Sequence, residues 1–193
     1  GSDLAAETAA SLASASLVFR STDAAYADTL LNNAKLLYDF AEQYQGKYSD
    51  AINSEQRKND RESSGFNDEL SWGAAWLHKA TGDANYLSKA EGYYEKSVGI
   101  GNLYTGWTMD WDNKSYGAAV LLAQSSSNSG YQTDVERWLD NWTDKSGNGG
   151  IKYTESGLAS LGEWGVLRNS STTAMLAGIY SDTVNDGDGK YSN

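Results

Sequence analysis

The sequence predicts an all-α fold assembled from helical hairpins. Apolar residues recur at intervals of three and four through most of the 193 residues, which is the spacing of one face of an α-helix. Three stretches, 9–41, 73–97 and 117–142, also resemble each other. Each runs from a small-residue helix through a short polar turn and a tyrosine to a second, amphipathic helix. A repeat of roughly 45–60 residues predicts a solenoid or toroid of stacked hairpins.

Seven helices are predicted in chain order. Asp3 is expected to cap the first, which runs to about Phe19 and has mostly alanine on its apolar side. Thr22 and Asp23 start the second, whose leucines and alanines line one side as far as Ala41. The remaining five are predicted at about 67–80, 84–97, 113–125, 130–143 and 165–183.

Long polar loops connect the hairpins, whereas short turns join the two helices within each hairpin. The loops cover residues 46–66, 98–112 and the stretch that opens with Gly147, Gly149 and Gly150. All of them should therefore emerge on one rim. Loops held by a rigid scaffold commonly carry function, so this rim is the expected binding face.

Composition excludes several classes of partner. A net charge of -11 and a pI near 4.4 make nucleic acid and an anionic membrane surface unsuitable, because both are negatively charged. The chain has no cysteine, so disulfides, thiol nucleophiles and thiolate metal sites are absent. No apolar run approaches the ~20 residues of a membrane helix. The chain begins Gly1-Ser2-Asp3 without a leader, which indicates processing or an excised piece. A neutral polysaccharide remains a suitable partner.

Two adjacent carboxylates stand where a loop becomes the third helix. Asp68 and Glu69 have an ordinary interpretation as a helix cap and a first-turn acid that complements the helix dipole. The functional interpretation is Ca²⁺, which takes six to eight oxygen ligands. Ser64, the Gly65 carbonyl and the distant Asp112 offer further oxygens. This site requires loops of successive hairpins to converge on one ion.

Tryptophans fall into two groups. Those at helical spacing are interpreted as packing residues: Trp72, Trp76, Trp138 and Trp142. Trp107, Trp111 and Trp164 lie on loops, where stacking against the C–H face of a sugar is one reason for a large ring. Arg168, one turn after Trp164, is suited to bonding sugar hydroxyls, and equally to a surface salt bridge.

Other conspicuous residues are predicted to have no chemical role. His78, the only histidine, is expected on the surface near a helix end. The acidic and glycine-rich stretch 185–189 lacks the alternating ligands and closing glutamate of an EF-hand, which predicts a flexible turn. The charged run 55–62 is interpreted as a solvated loop.

Five motifs are distinctive in combination: Gly1-Ser2-Asp3-Leu4-Ala5-Ala6-Glu7-Thr8-Ala9-Ala10, Gly46-Lys47-Tyr48-Ser49-Asp50, Asp68-Glu69-Leu70-Ser71-Trp72-Gly73-Ala74-Ala75-Trp76-Leu77, Trp111-Asp112-Asn113-Lys114 and Trp164-Gly165-Val166-Leu167-Arg168. Together they resemble family 9 of the glycoside hydrolases, the cellulases that act as endo-β-1,4-glucanases. The resemblance spans essentially the whole chain. It implies an (α/α)6 toroid of twelve helices, of which about seven fall here, so that 1–193 is a single segment of one catalytic domain.

The resemblance also implies site residues. The family's calcium ligands match Ser64, Gly65, Asp68, Glu69 and Asp112. Its substrate-binding aromatics match Trp107 and Trp164, and its cleft arginine matches Arg168. Departures occur at Asn59, Asp60 and Ser63, where members usually have aromatics, and at Asn169, which usually is tyrosine. Sugar stacking there should be weaker or differently placed.

The family hydrolyses with inversion, using an aspartate pair and a carboxyl-terminal glutamate. The resemblance places these acids outside residues 1–193, so the expected function is cellulase with the chain itself inactive and prone to self-association. The expected partner is cellulose or another β-1,4-glucan, and secretion follows from a polymer of that size. Two alternatives remain open: a non-catalytic toroid that binds glucan, and a helical scaffold whose loop tryptophans only pack.

Overall fold

The computed structural model describes residues 1–52, 61–144, 146, 150–184 and 191, and over these residues the protein is all-α apart from one small hairpin. The helices are α1 (Ser2–Phe19), α2 (Ala24–Gln43), α3 (Tyr48–Ala51), α4 (Asn67–Thr81), α5 (Ala84–Ser97), α6 (Ser115–Ser125), α7 (Gly130–Thr143) and α8 (Val166–Thr183). Strands β1 (Lys152–Tyr153) and β2 (Ala159–Ser160) pair antiparallel, with Lys152 opposite Ser160 and Tyr153 opposite Ala159. The predicted fold class is confirmed.

All seven predicted helices are present, and their ends lie within two residues of the predicted ones. Two elements were not predicted: α3, within the loop 46–66, and the hairpin of β1 and β2. The predictions for 55–60 within the charged run, for 185–189, for Gly147 and Gly149, and for the departures at Asn59 and Asp60 lie outside the described residues.

The chain divides into two compact units, Gly1–Val98 and Gly99–Asn193. The first contains α1 to α5, and the second contains α6 to α8 with the hairpin. The expectation that 1–193 forms a single domain segment stays a prediction. Among the described residues, no helix combines the length and the apolar character needed to cross a membrane.

Small residues on α1 allow close packing in the first unit. Ala6, Ala9 and Ala13 are fully buried, and α1 packs against both α2 and α4. Opposite α1, a Cβ added to Gly73 of α4 would lie 3.0 Å from the backbone oxygen of Ala6. The buried ring of Tyr38, on α2, closes the contact, and its hydroxyl donates to a carbonyl of α4 at 3.0 Å.

The helix ends follow from local chemistry. Asp23 caps α2 by accepting the Tyr26 N–H at 2.9 Å, which agrees with the predicted helix start at Thr22 and Asp23. Gly82 ends α4 with φ at +72°, a left-handed conformation that favours glycine. His78 lies in the last turn of α4, with Nδ1 3.0 Å from the Asp83 carbonyl, in agreement with its predicted place near a helix end.

The prediction that Asp3 caps α1 is wrong. The helix begins at Ser2, and Asp3 is inside its first turn. The carboxylate is buried and accepts the Tyr48 N–H at 2.9 Å, so it attaches the start of α3 to α1. An acid in the first turn also complements the helix dipole, which is why its sequence position suggested a cap.

The second unit is built around α6, where every residue from Ser115 to Ala123 is buried. The indole rings of Trp138 and Trp142 on α7 are buried as predicted, and the Trp138 ring lies 5.0 Å from that of Tyr116. In the first unit, Trp72 and Trp76 are half-buried and meet edge to face at 5.6 Å, which agrees with a packing role.

Candidate functional site

One face of α7 holds the loop that leads to α6. Polar and aromatic residues occur there at intervals of three and four, so they project in the same direction. Their partners are backbone groups of the loop: Gly101 N–H donates to Asp134 at 3.0 Å, Arg137 donates to the Leu103 carbonyl at 2.9 Å, and Asn141 donates to the Thr105 carbonyl at 3.0 Å. Side chains of α7 therefore satisfy backbone N–H and C=O groups of the loop that the hydrogen bonds of a helix or sheet would otherwise satisfy.

Trp107 is fixed through both its backbone and its ring. Its carbonyl accepts the indole N–H groups of Trp138, at 2.7 Å, and Trp142, at 3.0 Å. Its own Nε1 donates to Asp110 Oδ2 at 2.9 Å. The ring is half-buried, and Trp107 does not line the cleft described below.

The next turn is closed by polar contacts around Asp110. Its Oδ1 accepts the backbone N–H groups of Asp112 and Asn113, each at 3.0 Å. Lys114 is only 4% exposed, and its ammonium donates to the carbonyls of Asp110, at 2.6 Å, and Trp111, at 2.8 Å. A buried ammonium needs such acceptors, and the backbone of this turn supplies two of them.

Burial raises the pKa of the Tyr116 phenol above its usual range, and the negative charge of Asp110 adds to the effect. The phenol therefore stays neutral at ordinary pH. It donates to the Tyr104 carbonyl at 2.7 Å, so it is a further support for the loop.

A cleft of about 360 Å³ opens between this turn and α8. Its lining consists of Met109, Asp110, Trp111, Arg168, Asn169, Thr172 and Met175. The Trp111 ring is 43% exposed and Met175 is 54% exposed, so apolar surface is accessible beside a carboxylate and a guanidinium. This mixture of flat apolar surface and a few polar groups is typical of a small-molecule or sugar site.

The start of α8 presents the predicted aromatic and basic residues together. Gly165 has φ at +64°, a left-handed conformation that leaves Trp164 outside the helix, and the indole is 80% exposed. The Arg168 guanidinium carbon lies 5.5 Å from the centroid of that ring, within the range of a cation–π contact. Thr173, further along α8, donates to Thr108 at 2.7 Å and ties the helix to the loop.

The candidate calcium ligands of the first unit lie at the start of α4. Asp68 and Glu69 are 6% and 2% exposed, whereas Ser64 is exposed and Gly65 is half-buried. All of these residues offer oxygen, the donor that Ca²⁺ prefers, and two buried adjacent carboxylates suit a divalent cation. The donor set thus fits the ion. Asp112 belongs to the second unit.

The calcium site stays a prediction. Among the described residues, no group of three or more His, Cys, Asp or Glu side chains is arranged to hold a metal ion. The predicted set combines residues of both units.

The structure brings together part of the predicted substrate site. Trp164 and Arg168 are neighbours, and Arg168 lines the cleft. Trp111, interpreted from its loop position as a stacking residue, also lines the cleft. The methionines and threonine of the lining were missed, because these residue types carry no specific signal in a sequence.

Exposed indole rings, a guanidinium and a carboxylate around an open cleft on a helical scaffold are typical of proteins that bind small molecules or sugars. The chain belongs to glycosyl hydrolase family 9, since the model of that family matches residues 1–193. Endoglucanase B of Cellulomonas fimi is 46% identical over 190 residues, which are 96% of this chain and 18% of that protein. An endoglucanase of Dictyostelium discoideum is 42% identical and covers 93% of this chain and 25% of its own length.

Solved structures agree with this assignment. The endoglucanase of the termite Nasutitermes takasagoensis matches 99% of this chain and 42% of its own, with a TM-score of 0.85 and 37% identity. Endoglucanase CelQ of Clostridium thermocellum, complexed with cellotriose, matches 99% of this chain and 31% of its own, with a TM-score of 0.79 and 35% identity. The chain therefore spans a minor part of the length of the relatives it matches.

Proposed function

We propose that the polypeptide carrying this chain hydrolyses internal β-1,4-glucosidic bonds of cellulose or a related β-glucan. Membership of glycosyl hydrolase family 9 is the observation that carries the proposal. Relatives named endoglucanase, and a structural neighbour complexed with cellotriose, support a β-glucan as the substrate.

The cleft supports the same substrate class on chemical grounds. The exposed rings of Trp111, which lines the cleft, and Trp164, beside Arg168, offer flat apolar faces for the C–H side of a glucose unit. The half-buried ring of Trp107, which does not line the cleft, is proposed as a third stacking face. Arg168 would donate hydrogen bonds to sugar hydroxyls. A net charge of -11 does not repel a neutral polymer, although it would repel nucleic acid.

The catalytic carboxylates are proposed to come from other parts of the polypeptide. Inverting hydrolysis needs one acid that protonates the leaving oxygen and a base that activates water, with the two carboxyl groups roughly 6.5–9.5 Å apart. In the family pattern these acids fall outside the positions matched by residues 1–193. This chain would then contribute part of the cleft and the calcium site, and would not hydrolyse glucan by itself.

We also propose a structural Ca²⁺ bound by Ser64, Gly65, Asp68, Glu69 and Asp112. The buried adjacent carboxylates of α4 support it, because they offer the oxygen ligands that Ca²⁺ prefers. The ion would neutralise part of the negative charge of these carboxylates. Secretion of the polypeptide is proposed from the size of its substrate alone.

A non-catalytic glucan-binding protein is the second candidate. The 80% exposure of Trp164 favours it, because a sugar platform needs only an accessible ring and no catalytic acid. The two candidates differ in what the rest of the polypeptide must contain.

The test is hydrolysis of carboxymethyl cellulose by the complete polypeptide and by residues 1–193 alone. Release of reducing ends by the complete polypeptide, with none from the isolated chain, is the expected result. Binding of cellulose without hydrolysis by the complete polypeptide would favour the second candidate. Turnover by the isolated chain would contradict the proposal that the catalytic acids lie elsewhere.

A further inference from the structure

Asp110 is the centre of the hydrogen bonds in the turn before α6. Its carboxylate accepts three N–H groups: the Trp107 indole at 2.9 Å on Oδ2, and the backbone amides of Asp112 and Asn113 at 3.0 Å on Oδ1. An ionised carboxylate has about four lone-pair sites, so three are occupied. Oδ1 therefore bonds the backbone of the turn, whereas Oδ2 bonds the Trp107 indole.

The Trp107 ring needs this second bond to hold one orientation. The contacts from Trp138 and Trp142 reach its backbone carbonyl and fix the position of the residue, but not the rotation of its side chain. The bond from Nε1 to Asp110 defines where the polar edge of the indole points, and therefore which way its flat faces are turned. The acceptor is ionised, which makes such a bond shorter and stronger than a neutral one.

We propose that Asp110 is a positioning residue for glucan binding: it holds the Trp107 indole in the orientation that stacks on a glucose unit. This inference rests on the proposed function. Trp107 does not itself line the cleft, but the bond joins its ring to Asp110, which lines the cleft with Trp111 and Arg168. Asp110 thus acts on substrate through its neighbour.

A purely structural role for Asp110, as the residue that closes the turn, is the competing explanation. The substitution Asp110→Asn distinguishes this structural role from the proposed positioning role. The asparagine oxygen can still accept the amides of Asp112 and Asn113, whereas its NH₂ group cannot accept from the Trp107 indole. Trp107→Phe removes the same bond from the other side and keeps a flat ring.

The test is a double-mutant cycle in the complete polypeptide, with cellotetraose as the ligand. Asp110→Asn and Trp107→Phe should each raise the Kd about five- to tenfold, and the double variant should be no weaker than the weaker single variant. With soluble substrate, KM should rise and kcat should stay within about twofold, as for a lost binding contact. Independent losses, which multiply to about 25–100-fold in the double variant, would overturn the proposal.

A resonance measurement without ligand tests the bond between Asp110 and Trp107 independently of the proposed function. The indole N–H resonance of Trp107, assigned by its loss in Trp107→Phe, should move upfield and exchange faster in Asp110→Asn. An unchanged resonance would overturn the proposal whatever the glucan affinity is. If that resonance moves but the unaltered polypeptide does not bind cellotetraose, the proposed function fails, and the role of Asp110 in glucan binding fails with it.

Discussion

Replacement of Gly73 by alanine tests the close packing of α4 against its neighbours. A Cβ at this position would lie 3.0 Å from the backbone oxygen of Ala6 and 3.0 Å from Cδ2 of Tyr38. Neither group can move away easily, because Ala6 is a buried residue of the helix α1 and the Tyr38 ring is fully buried and hydrogen-bonded to Leu70. The new methyl group must therefore displace α4 or the ring.

The magnitude follows from two opposing effects. Glycine is about 1 kcal/mol less favourable than alanine in a helix interior, so the substitution gains that much. Overpacking a core with an extra carbon costs about 1–3 kcal/mol. For Gly73→Ala the net result is between no change and about 2 kcal/mol of destabilisation. Gly92→Ala is the matched control, because Gly92 is exposed within α5 and nothing lies within 4 Å of its added Cβ.

Thermal unfolding of the two variants isolates the packing effect, since the helix-propensity gain is common to both. The melting temperature of a protein of this size changes by about 2–4 °C per kcal/mol. Gly92→Ala should melt a few degrees above the unaltered protein, and Gly73→Ala about 2–12 °C below Gly92→Ala. Equal increases in both variants would refute the packing argument.

Three further results are expected. Asp68→Ala should reduce the rise in melting temperature on adding Ca²⁺, which for an intact site at a hundred times its Kd is worth about 2.7 kcal/mol; an unchanged rise would reject Asp68 as a ligand. Trp164→Ala should abolish sedimentation of the protein with insoluble cellulose, whereas Leu167→Ala, which removes another exposed apolar side chain, should not. Burial raises the pKa of the Tyr38 phenol in the folded protein. The contribution of the neutral phenol to stability is therefore complete below about pH 10, the pKa of tyrosine in the unfolded chain, and is lost as the pH rises above that value. Denaturant titrations should show a shallower alkaline loss of stability in Tyr38→Phe, and an equal slope would contradict this.

The helices could be predicted because their signals are local and redundant. At α5, Asp83 caps the helix by accepting the Asn85 N–H at 2.9 Å, directly after the left-handed Gly82, and an apolar face follows. Capping residue, turn residue and periodicity all indicate the same boundary, so the predicted and observed ends coincide. The hairpin of β1 and β2 could not be predicted in this way, because a strand of two residues is too short to show an alternation of apolar and polar residues.

The site could be predicted less fully because its contacts depend on burial. A lysine in a sequence is ordinarily a surface residue, and nothing near Lys114 indicates that its ammonium is enclosed by two carbonyls of the preceding turn. The bond between Trp107 and Asp110 is likewise invisible in a list of residue types. Loop position correctly indicated that Trp164 would be accessible, because a ring just before a helix start has no neighbouring turn to cover it.

The loop before α6 presents cleft residues while contacts with α7 fix its backbone. The polar residues of α7 that face the loop, Asp134 and Asn141, would be poor choices for a helix that only packed apolar surface. They bond the loop backbone in place of a regular ladder, while the indole N–H groups of Trp138 and Trp142 do the same from within the core. The shape of the loop is thus set by its contacts with α7, which reduces the ordering that ligand binding requires.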